Sequence, residues 1–463
     1  MSTFRILFLV LLTAIISVPA LGQNQQEEME DPFKNDPFFS KPLSEIFKKS
    51  DKDSSDIGSE DVQYHVGRLN ANGIDYDSGL GAGPYNSNPI YGIYPLMPMI
   101  HYNRVNGLFL GLRKERMQWY NRDWFLGIEG IQPHYLVGYS FGQKEFQYTA
   151  GLEKFLGRKK HALIGAEYHD ATTTDDFWRV GLNETSLTAF IAGYDFLDYY
   201  KQTGWGFYFN LRSKRYFEGG ISYNDETFRS LEQETDFSIF GSDRNYRVNP
   251  PIDIAGGSPV EKADISSINI GASFNPRQLV LSRYFTLSAT VLAELADLGD
   301  DSDYSYNKYM GEIKFSYNFE EGGVFRYRLR AGGIDGDAPN FELFQLGGIG
   351  TIRALPYKSL QGNRMILSNA EVHFGVPARS DSDWIDFDDF YLTIFLDSGW
   401  ADFDPNRITD GGVFSSFDGF SLNDLKHSAG VGIGSSLIRF ELAWDINKGG
   451  GAPIFWVRLN PTF

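Results

Sequence analysis

The residues of this chain that could carry out chemistry are one serine between glycines, seven histidines and scattered carboxylates. Residues 138–142 (GYSFG) have the pattern G-x-S-x-G, which in hydrolases holds a nucleophilic serine on a turn from a strand into a helix. The residues after it alternate like another strand, so we interpret it as a hairpin turn. The histidines show neither an H-E-x-x-H pattern nor another paired metal spacing. We therefore predict that the chain is not an enzyme and holds no metal or cofactor.

Two further groups of polar residues are open to a catalytic or metal-binding interpretation. His373 lies close in sequence to Glu371, and with Asp397 these residues could form a hydrolytic constellation. The acidic run at residues 297–303 offers the hard oxygen ligands that calcium prefers, but it lacks the D-x-[DN]-x-[DN]-G spacing of a calcium loop. We interpret the run as solvated charge and predict no catalytic role for His373.

The elements that must position these side chains are strands in which apolar and polar residues alternate. In residues 438–446 every even-numbered position is large and apolar, whereas three of the four odd-numbered positions are charged. The same alternation recurs in residues 205–212 and 324–331. One such strand also occurs in a soluble β-sandwich, whereas a long series of them favours a barrel. There are sixteen candidates, at residues 104–114, 123–130, 132–141, 144–156, 160–169, 203–212, 215–224, 264–274, 283–296, 306–319, 323–332, 363–375, 389–400, 427–436, 437–447 and 453–463.

The connections between these strands differ in length on the two sides of the predicted sheet. With the first strand running outward, those on one side are as short as residues 157–159 and 213–214. Those on the other side are long, and we interpret residues 177–200 within one of them as a helical insert. The long connections are residues 170–202, 225–263, 333–362 and 401–426. This asymmetry and the even strand number predict an all-β fold, a transmembrane antiparallel β-barrel of sixteen strands with both ends in the periplasm.

Composition favours a membrane barrel over a soluble all-β protein and excludes several functions. Aromatic residues make up 16% of the chain and glycine accounts for 49 residues, as the girdles and crowded strands of an outer-membrane barrel require. After residue 22 no window approaches the roughly twenty apolar residues of a membrane helix. The absence of cysteine excludes disulfides and thiolate metal sites. A net charge of −18 without a basic stripe argues against nucleic acid as a partner.

The chain divides into four predicted segments. Residues 1–22 have a basic residue, an apolar run and a small-x-small end, which predicts a secretory signal peptide. Residues 23–60 are polar and charged without periodicity, which predicts a disordered acidic periplasmic tail. Residues 61–101 are rich in glycine, proline, asparagine and tyrosine and form an irregular pre-barrel segment. Residues 102–463 form the predicted transmembrane β-barrel.

The last predicted strand reaches the chain terminus with alternate apolar side chains. They are Phe455, Val457, Leu459 and Phe463. A terminal aromatic residue after such alternation is similar to the insertion signal that the outer-membrane assembly machinery reads in its clients. The pattern predicts a protein of the bacterial outer membrane without indicating what it does there.

A glycine-dense segment and the strand that follows it carry a more specific pattern. In residues 344–374 a pair of glycines precedes one arginine, and another glycine precedes a glutamate. In residues 389–400 the string F-x-D-x-G occurs inside an alternating strand. The residues concerned are Gly347, Gly348, Arg353, Gly362, Glu371, Phe395, Asp397 and Gly399.

These residues resemble the signature of the BamA/TamA superfamily of outer-membrane barrels, also called bacterial surface antigens. In that family a sixth extracellular loop folds back into the lumen and carries V-R-G-[FY]. The twelfth strand carries G-x(6–8)-E, and the thirteenth carries F-x-D-x-G. This chain departs from the signature at Ala354, where the family has glycine, and at Tyr357, the displaced aromatic residue.

The resemblance implies a lock in which Arg353 of the inward-folded sixth loop bonds to Glu371 and Asp397. Strand alternation permits this arrangement, since both carboxylates lie on the inward-facing sides of their predicted strands. A planar guanidinium can bridge two carboxylates through bidentate hydrogen bonds.

The resemblance also implies a function in the insertion, assembly or secretion of proteins at the outer membrane, alone or as a subunit. The expected partners are outer-membrane lipid and protein clients or subunits of an assembly complex. Residues 23–99 have room for barely one of the POTRA modules that the family's assembly factors carry, and no amphipathic helix for it, so we predict that these modules are absent. Two other functions stay open: a passive porin or uptake channel, and a surface antigen or adhesin whose long loops bind partners.

Overall fold

The computed structural model describes most of the chain from Met97 onward. The described residues are 97–114, 124–125, 128–129, 131–156, 162–213, 216–241, 245–276, 278, 281, 284–296, 302–319, 323–375, 390–403, 417, 420–435, 438–449 and 451–459. The predicted signal peptide (1–22), the predicted tail (23–60), most of the pre-barrel segment, the acidic run as far as residue 301 and Phe463 lie outside the described residues.

Sixteen strands form one antiparallel sheet in which each strand pairs with the next one along the chain. They are β1 (Met97–Asn103), β2 (Gly107–Lys114), β3 (Ile131–Ser140), β4 (Glu145–Leu156), β5 (Ala162–Thr173), β6 (Tyr200–Ser213), β7 (Phe217–Ser230), β8 (Lys262–Phe274), β9 (Phe285–Ala296), β10 (Ser305–Phe319), β11 (Gly323–Asp337), β12 (Arg364–Phe374), β13 (Tyr391–Asp402), β14 (Lys426–Gly434), β15 (Ile438–Asp445) and β16 (Ile454–Leu459). The all-β fold and the predicted number of strands are confirmed. In the described residues β1 and β16 do not pair with each other, so strand pairing leaves the sheet open between them.

The two faces of the sheet differ as the alternation predicts. In β13, Leu392 and Ile394 on the outer face are 58% and 55% exposed, whereas Phe395 and Asp397 on the inner face are 2% and 0% exposed. Polar side chains on an open face would be in contact with water. Their burial therefore means that the sheet curls around them and that other parts of the chain fill the enclosed space.

Because successive strands are antiparallel, their connections alternate between two rims. We name the rim that carries the turn after β1 the upper rim. It also carries loop 3 (residues 174–199), loop 4 (residues 231–261) and loop 6 (residues 338–363). The strand ends Ser213 and Phe217, and Phe319 and Gly323, lie on the opposite rim, with three residues between the two strands of each pair. The predicted difference in length between the two sets of connections is confirmed at these positions.

The predicted first strand, residues 104–114, contains a tight turn. The side-chain Oδ1 of Asn103 accepts hydrogen bonds from the N–H groups of Val105 and Asn106, at 3.0 and 2.6 Å. Gly107 follows with a φ of +59°. Asparagine side chains that bond their own backbone and a glycine with positive φ are both turn-forming features, and here they outweigh the apolar alternation on either side.

The turn changes which residues form the first two strands. The described part of the sheet begins at Met97, ahead of the predicted barrel start at residue 102. The prediction did not include β1. It did include residues 123–130, and in the described part of that segment Trp124–Phe125 pairs with Ile128–Glu129 as a two-stranded hairpin outside the sheet.

Helix α1 (Leu182–Ala192) of loop 3 contacts both unpaired edge strands. The Tyr102 N–H of β1 donates to Ser186 Oγ at 2.6 Å. Glu184 Oε1 accepts hydrogen bonds from Arg458 Nε and Leu459 N–H of β16, at 2.8 and 2.9 Å. The helix thus satisfies backbone donors that a neighbouring strand would otherwise bind. The predicted helical insert is confirmed, and none of the helices in the described residues is long and apolar enough to cross a bilayer.

Candidate functional site

Loop 6 folds back against the inner face and is shaped by a short hairpin with a glycine-rich tip. Phe344–Leu346 pairs with Leu360–Gly362, which brings the two ends of the loop together. Gly347 and Gly348 have φ angles of +115° and +79°, which residues with a side chain rarely adopt. A Cβ at Gly347 would also lie 2.3 Å from the Pro356 carbonyl oxygen. The two glycines are therefore required by the backbone of this hairpin.

Arg353, at the tip of loop 6, is the centre of the site and is 3% exposed. Its Nε and Nη2 donate to the two carboxylate oxygens of Asp397 on β13, both at 2.8 Å. Its Nη1 lies 2.8 Å from Glu371 Oε1 on β12 and 2.8 Å from Glu441 Oε1 on β15. The backbone N–H of Arg353 also donates to Asp397, at 3.2 Å. One guanidinium thus joins three strands, with the bidentate geometry that favours arginine over lysine.

A second arginine extends the charge network along the inner face. Arg439 of β15 lies 3.2 Å from Glu371 Oε2 and 2.8 Å from Glu441 Oε1. His373 Nε2 lies 2.8 Å from the same Glu371 Oε2. Buried charges are stable only when paired and hydrogen-bonded. Each carboxylate that a hydrolytic site would need is thus committed to an arginine, and the described residues contain no cluster of acids and histidines able to hold a metal ion.

An aromatic ring packs against the Arg353 guanidinium, and glycines leave space for that ring and for loop 6. The guanidinium carbon of Arg353 lies 3.4 Å from the centroid of the Phe395 ring, a cation–π contact. A Cβ at Gly430 of β14 would meet that ring at 2.2 Å, so glycine is needed to admit it. A Cβ at Gly399 would meet the Ile352 side chain at 2.9 Å, and one at Gly362 would meet the Asp402 carbonyl at 2.1 Å. The motif glycines therefore make space for the loop and its neighbours.

Ala354 stands at the position after the arginine where the BamA/TamA signature has glycine, and its φ is not positive. The turn closes through the Leu355 N–H, which donates to the Ile352 carbonyl at 3.1 Å. The Ala354 N–H faces Ser428 Oγ at 3.3 Å. The left-handed conformation is taken by Lys358, with a φ of +52°. An alanine therefore fits at position 354 without backbone strain.

Loop 3 holds the far side of loop 6. Lys358 Nζ lies 2.5 Å from Asp176 Oδ2 and 2.5 Å from Asp198 Oδ2. Burial raises the pKa of Asp198, but the neighbouring cations, Lys358 first and then Arg247 and Arg104, outweigh burial and hold the pKa below its ordinary value. Loop 6 is thus clamped between the strands below and loop 3 above.

Five side chains of the site were not part of the sequence prediction. They are Asn369, Ser428, Arg439, Glu441 and Trp456. Trp456 of β16 donates from Nε1 to the Arg353 carbonyl at 2.9 Å, and Asn369 donates to Asp397 Oδ1 at 2.8 Å. Alternation places Arg439 and Glu441 on the inner face, but Glu441 is 88 residues from Arg353, and no spacing rule links them.

The remaining predicted positions lie outside this site. Ser140 ends β3, and residues 141–144 form the turn into β4, so the hairpin interpretation of the G-x-S-x-G string is confirmed. The Ser140 Oγ donates a hydrogen bond to the Asn106 carbonyl at 3.1 Å. Phe455 and Val457 of the predicted insertion signal are 58% and 38% exposed on the outer face.

Comparisons with known proteins give one family and a set of similar solved structures. BamA from Haemophilus ducreyi lacking POTRA domains 1–3 is 16% identical over 79% of this chain and 69% of that chain, with a TM-score of 0.46. CdiB from Acinetobacter baumannii is 10% identical over 78% of this chain, with a TM-score of 0.39, and CdiB from Escherichia coli is 12% identical over 78%, with a TM-score of 0.37. The chain spans 58% and 60% of these two CdiB chains. The comparison with curated proteins found no match.

The model of the family of unknown function DUF5686, C-terminal domain, matches residues 83–334. The match ends before loop 6, so Arg353 and its three carboxylate partners lie beyond it. Because residues 83–334 make up more than half of the 463 residues, the chain belongs to the DUF5686 family.

Proposed function

We propose that this chain is an outer-membrane β-barrel of the BamA/TamA type that acts in, or as a subunit of, the insertion, assembly or secretion of proteins at the bacterial outer membrane. The observation that carries the proposal is the contact of Arg353 with Glu371, Asp397 and Glu441 inside the curled sheet. The family resemblance implies two of these partners, Glu371 and Asp397, and the contact with Glu441 is a third that supports the same position of loop 6.

The apolar outer face of the sheet supports the proposal that the chain lies in a membrane. Large apolar side chains stay exposed there on strands far apart in the chain, including Leu110 on β2, Ile221 on β7 and Leu442 on β15, at 41%, 45% and 37% exposure. Water disfavours such a surface, whereas lipid does not, and pairing between neighbouring strands satisfies their facing backbone groups without water. We infer that bilayer lipid covers this face.

The inner face argues for a gated barrel over a passive pore. A passive porin conducts through a water-filled lumen. Here loop 6 occupies the space enclosed by the strands, and Arg353, Ile352 and Thr351 are each at most 3% exposed. Solute passage would first require the loop to leave. A held loop suits a protein that opens on engaging a partner.

Depletion of the chain in its source bacterium tests this function. We expect lower amounts of folded outer-membrane barrels or of secreted proteins, measured by quantitative proteomics of outer membranes and culture supernatants. Re-expression of the parent should restore them, Arg353→Ala at an equal level should restore them less, and Arg229→Ala should restore them fully, because Arg229 is exposed at the end of β7.

A different outcome would favour the channel function. If depletion leaves both proteomes unchanged while uptake of small solutes falls, the chain is a porin and the proposal is wrong.

A further inference from the structure

An exposed apolar surface lies on the upper rim, built from the end of α1 and a short part of loop 4. We name it the rim patch, and its members are Phe190, Ile191, Tyr194, Phe237, Ile239 and Phe240. Their exposed fractions run from 36% at Ile191 to 82% at Phe240. Soluble proteins rarely leave a contiguous apolar surface of this kind in water, and where they do it marks a place of interaction.

The rim patch is a fixed surface and not a loose loop. The N–H groups of Ile239 and Phe240 donate to the carbonyls of Phe190 and Ile191, both at 2.9 Å. The chain passes close to the end of the helix at Gly241, where a Cβ would lie 2.8 Å from the Ala192 carbonyl oxygen. The loop 4 segment is therefore held along the end of α1 by its own backbone.

The rim patch adjoins the outer face of the sheet. Tyr102 of β1 is paired with Leu108 of β2, which is 39% exposed on the outer face. The Tyr102 ring lies 5.3 Å from the Phe190 ring and 6.5 Å from the Phe237 ring, between centroids. Tyr102, itself 8% exposed, thus packs between the outer face of β1 and β2 and the rim patch, and the two apolar surfaces adjoin there.

The tyrosine hydroxyls near the rim patch are hydrogen-bonded, and the nearby carboxylates lie at its edge. The Tyr102 hydroxyl donates to the Phe237 carbonyl at 2.6 Å, and the Tyr246 hydroxyl lies 2.8 Å from the carbonyls of Ala189 and Phe237. Asp236 and Glu234 are exposed beside it. The centre of the rim patch can leave water at little cost, while these carboxylates limit how deep it can go.

We propose that the rim patch rests in the membrane, at the boundary between the headgroups and the acyl chains of the leaflet that borders the upper rim. The inference rests on the proposed position of the sheet in the outer membrane. Lipid is the occupant because the patch adjoins the lipid-facing side of β1 and β2, and aromatic side chains favour the membrane interface. Loops 3 and 4 then lie against the bilayer beside β1, and the lipid helps to hold α1 between the edge strands.

The cysteine-free chain allows a direct test with single-cysteine variants of the full protein in vesicles. Phe240→Cys reports on the rim patch, Leu110→Cys reports on the outer face, and Val248→Cys is the matched control. Val248 lies in the same loop 4 and is 77% exposed, but its neighbours Arg247 and Asn249 bind loop 3 residues Asp198 and Tyr199. Each cysteine carries the same environment-sensitive fluorophore. Quenching is measured with brominated phospholipid and with aqueous iodide.

We expect the labels at 240 and 110 to be quenched by brominated lipid at least about twofold more than the label at 248, because interfacial side chains sit about 5–10 Å into the headgroup and acyl boundary. Iodide should show the opposite order. Iodide quenching at 240 equal to that at 248, with 110 still in lipid, would overturn the inference and leave the membrane position of the sheet intact.

Two other outcomes also count against the inference. A label at 240 shielded from both quenchers would mean that protein covers the rim patch. If iodide quenches the label at 110 as strongly as the label at 248, the sheet itself does not lie in lipid. The inference and the proposed function would then both be wrong.

Discussion

Two buried ion pairs attach loops to the sheet: Arg353 with its carboxylates, and Arg458 with Glu184. The arginine and the carboxylate exchange places between them. In loop 6 the arginine belongs to the connection, and the carboxylates belong to β12, β13 and β15. Between the edge strands the carboxylate, Glu184, belongs to the connection, and Arg458 belongs to β16. Arg353 has three carboxylate partners, whereas in the described residues Arg458 contacts one.

This difference predicts how each contact responds to the loss of one carboxylate. If one carboxylate near Arg353 is lost, two remain to compensate its charge. If Glu184 is lost, Arg458 stays 2% exposed without an acid in contact, and the Leu459 N–H loses its acceptor as well. A buried charge left without its partner is costly, whereas replacing a whole pair by apolar residues often is not.

The largest effect is therefore expected at the edge strands. Glu184→Ala should lower the free energy of unfolding by about 3–5 kcal/mol, because it leaves the Arg458 guanidinium buried and unpaired. The measurement is urea unfolding of the folded protein in detergent. Glu184→Leu combined with Arg458→Met should recover most of the loss, and Glu232→Ala, at an exposed position of loop 4, should cost little. A loss at Glu232 equal to that at Glu184 would mean that the contact with Arg458 is not what stabilises the edge.

The same two contacts show what could be predicted from the sequence. The loop 6 partners Arg353, Glu371 and Asp397 fall within one short region of recognisable spacing, so a motif and strand parity together identify them. Glu184 and Arg458 are 274 residues apart and meet only because the sheet curls until its edges flank α1. No local pattern carries that information.

The strand prediction failed for a local reason. Alternation identified most strands because each one has an apolar outer face and a buried inner face, and this split repeats every two residues. It identified residues 107–114 but began that strand at residue 104 and missed β1, because the Asn103 side chain bonds the backbone at Val105 and Asn106 and turns the chain there. A turn that depends on the hydrogen bonds of one asparagine side chain cannot be found from the alternation of apolar and polar residues along a strand.

A smaller effect is expected within loop 6. Asp397→Asn should cost about 1–3 kcal/mol, less than Glu184→Ala, because Glu371 and Glu441 still face the guanidinium. The loss should appear in urea unfolding, while protease resistance of loop 6 stays close to that of the parent. Adding Glu441→Gln should then release the loop. If Asp397→Asn alone exposes loop 6 fully, the three carboxylates do not share the charge as proposed.

A still smaller effect is expected at the contact between loops 3 and 6, and it should depend on pH. The pKa of Asp198 is lower in the folded protein than in the unfolded chain, so its contribution is present above the ordinary aspartate pKa and is lost as pH falls through the lowered value. The protection of residues 338–363 against hydrogen exchange, taken relative to the intrinsic exchange rate at each pH, should therefore be high near neutral pH and fall only in strong acid. Lys358→Met should speed up exchange at neutral pH and weaken this acid dependence. An unchanged profile in that variant would contradict the role of Lys358.

The smallest effect is expected from the predicted tail. Deletion of residues 24–60 should leave heat-modifiable gel migration and the urea midpoint unchanged, because this polar segment lacks the apolar surface to add to the sheet. A deletion variant that no longer folds in the membrane would show that the segment has a structural role.

The conductance of Arg353→Ala in planar bilayers tests whether Arg353 holds loop 6 against the inner face of the curled sheet. We expect larger and noisier conductance than in the parent, with protease cleavage within residues 338–362, whereas Arg229→Ala should match the parent. Arg439 still pairs with Glu371 and Glu441, and Asn369 and Ser428 still donate to Asp397. These partners should keep the loss of stability below the roughly 3–5 kcal/mol of a buried charge left alone, so the sheet should survive. If Arg353→Ala conducts like the parent and its loop stays resistant to protease, Arg353 does not hold the loop and the account is wrong.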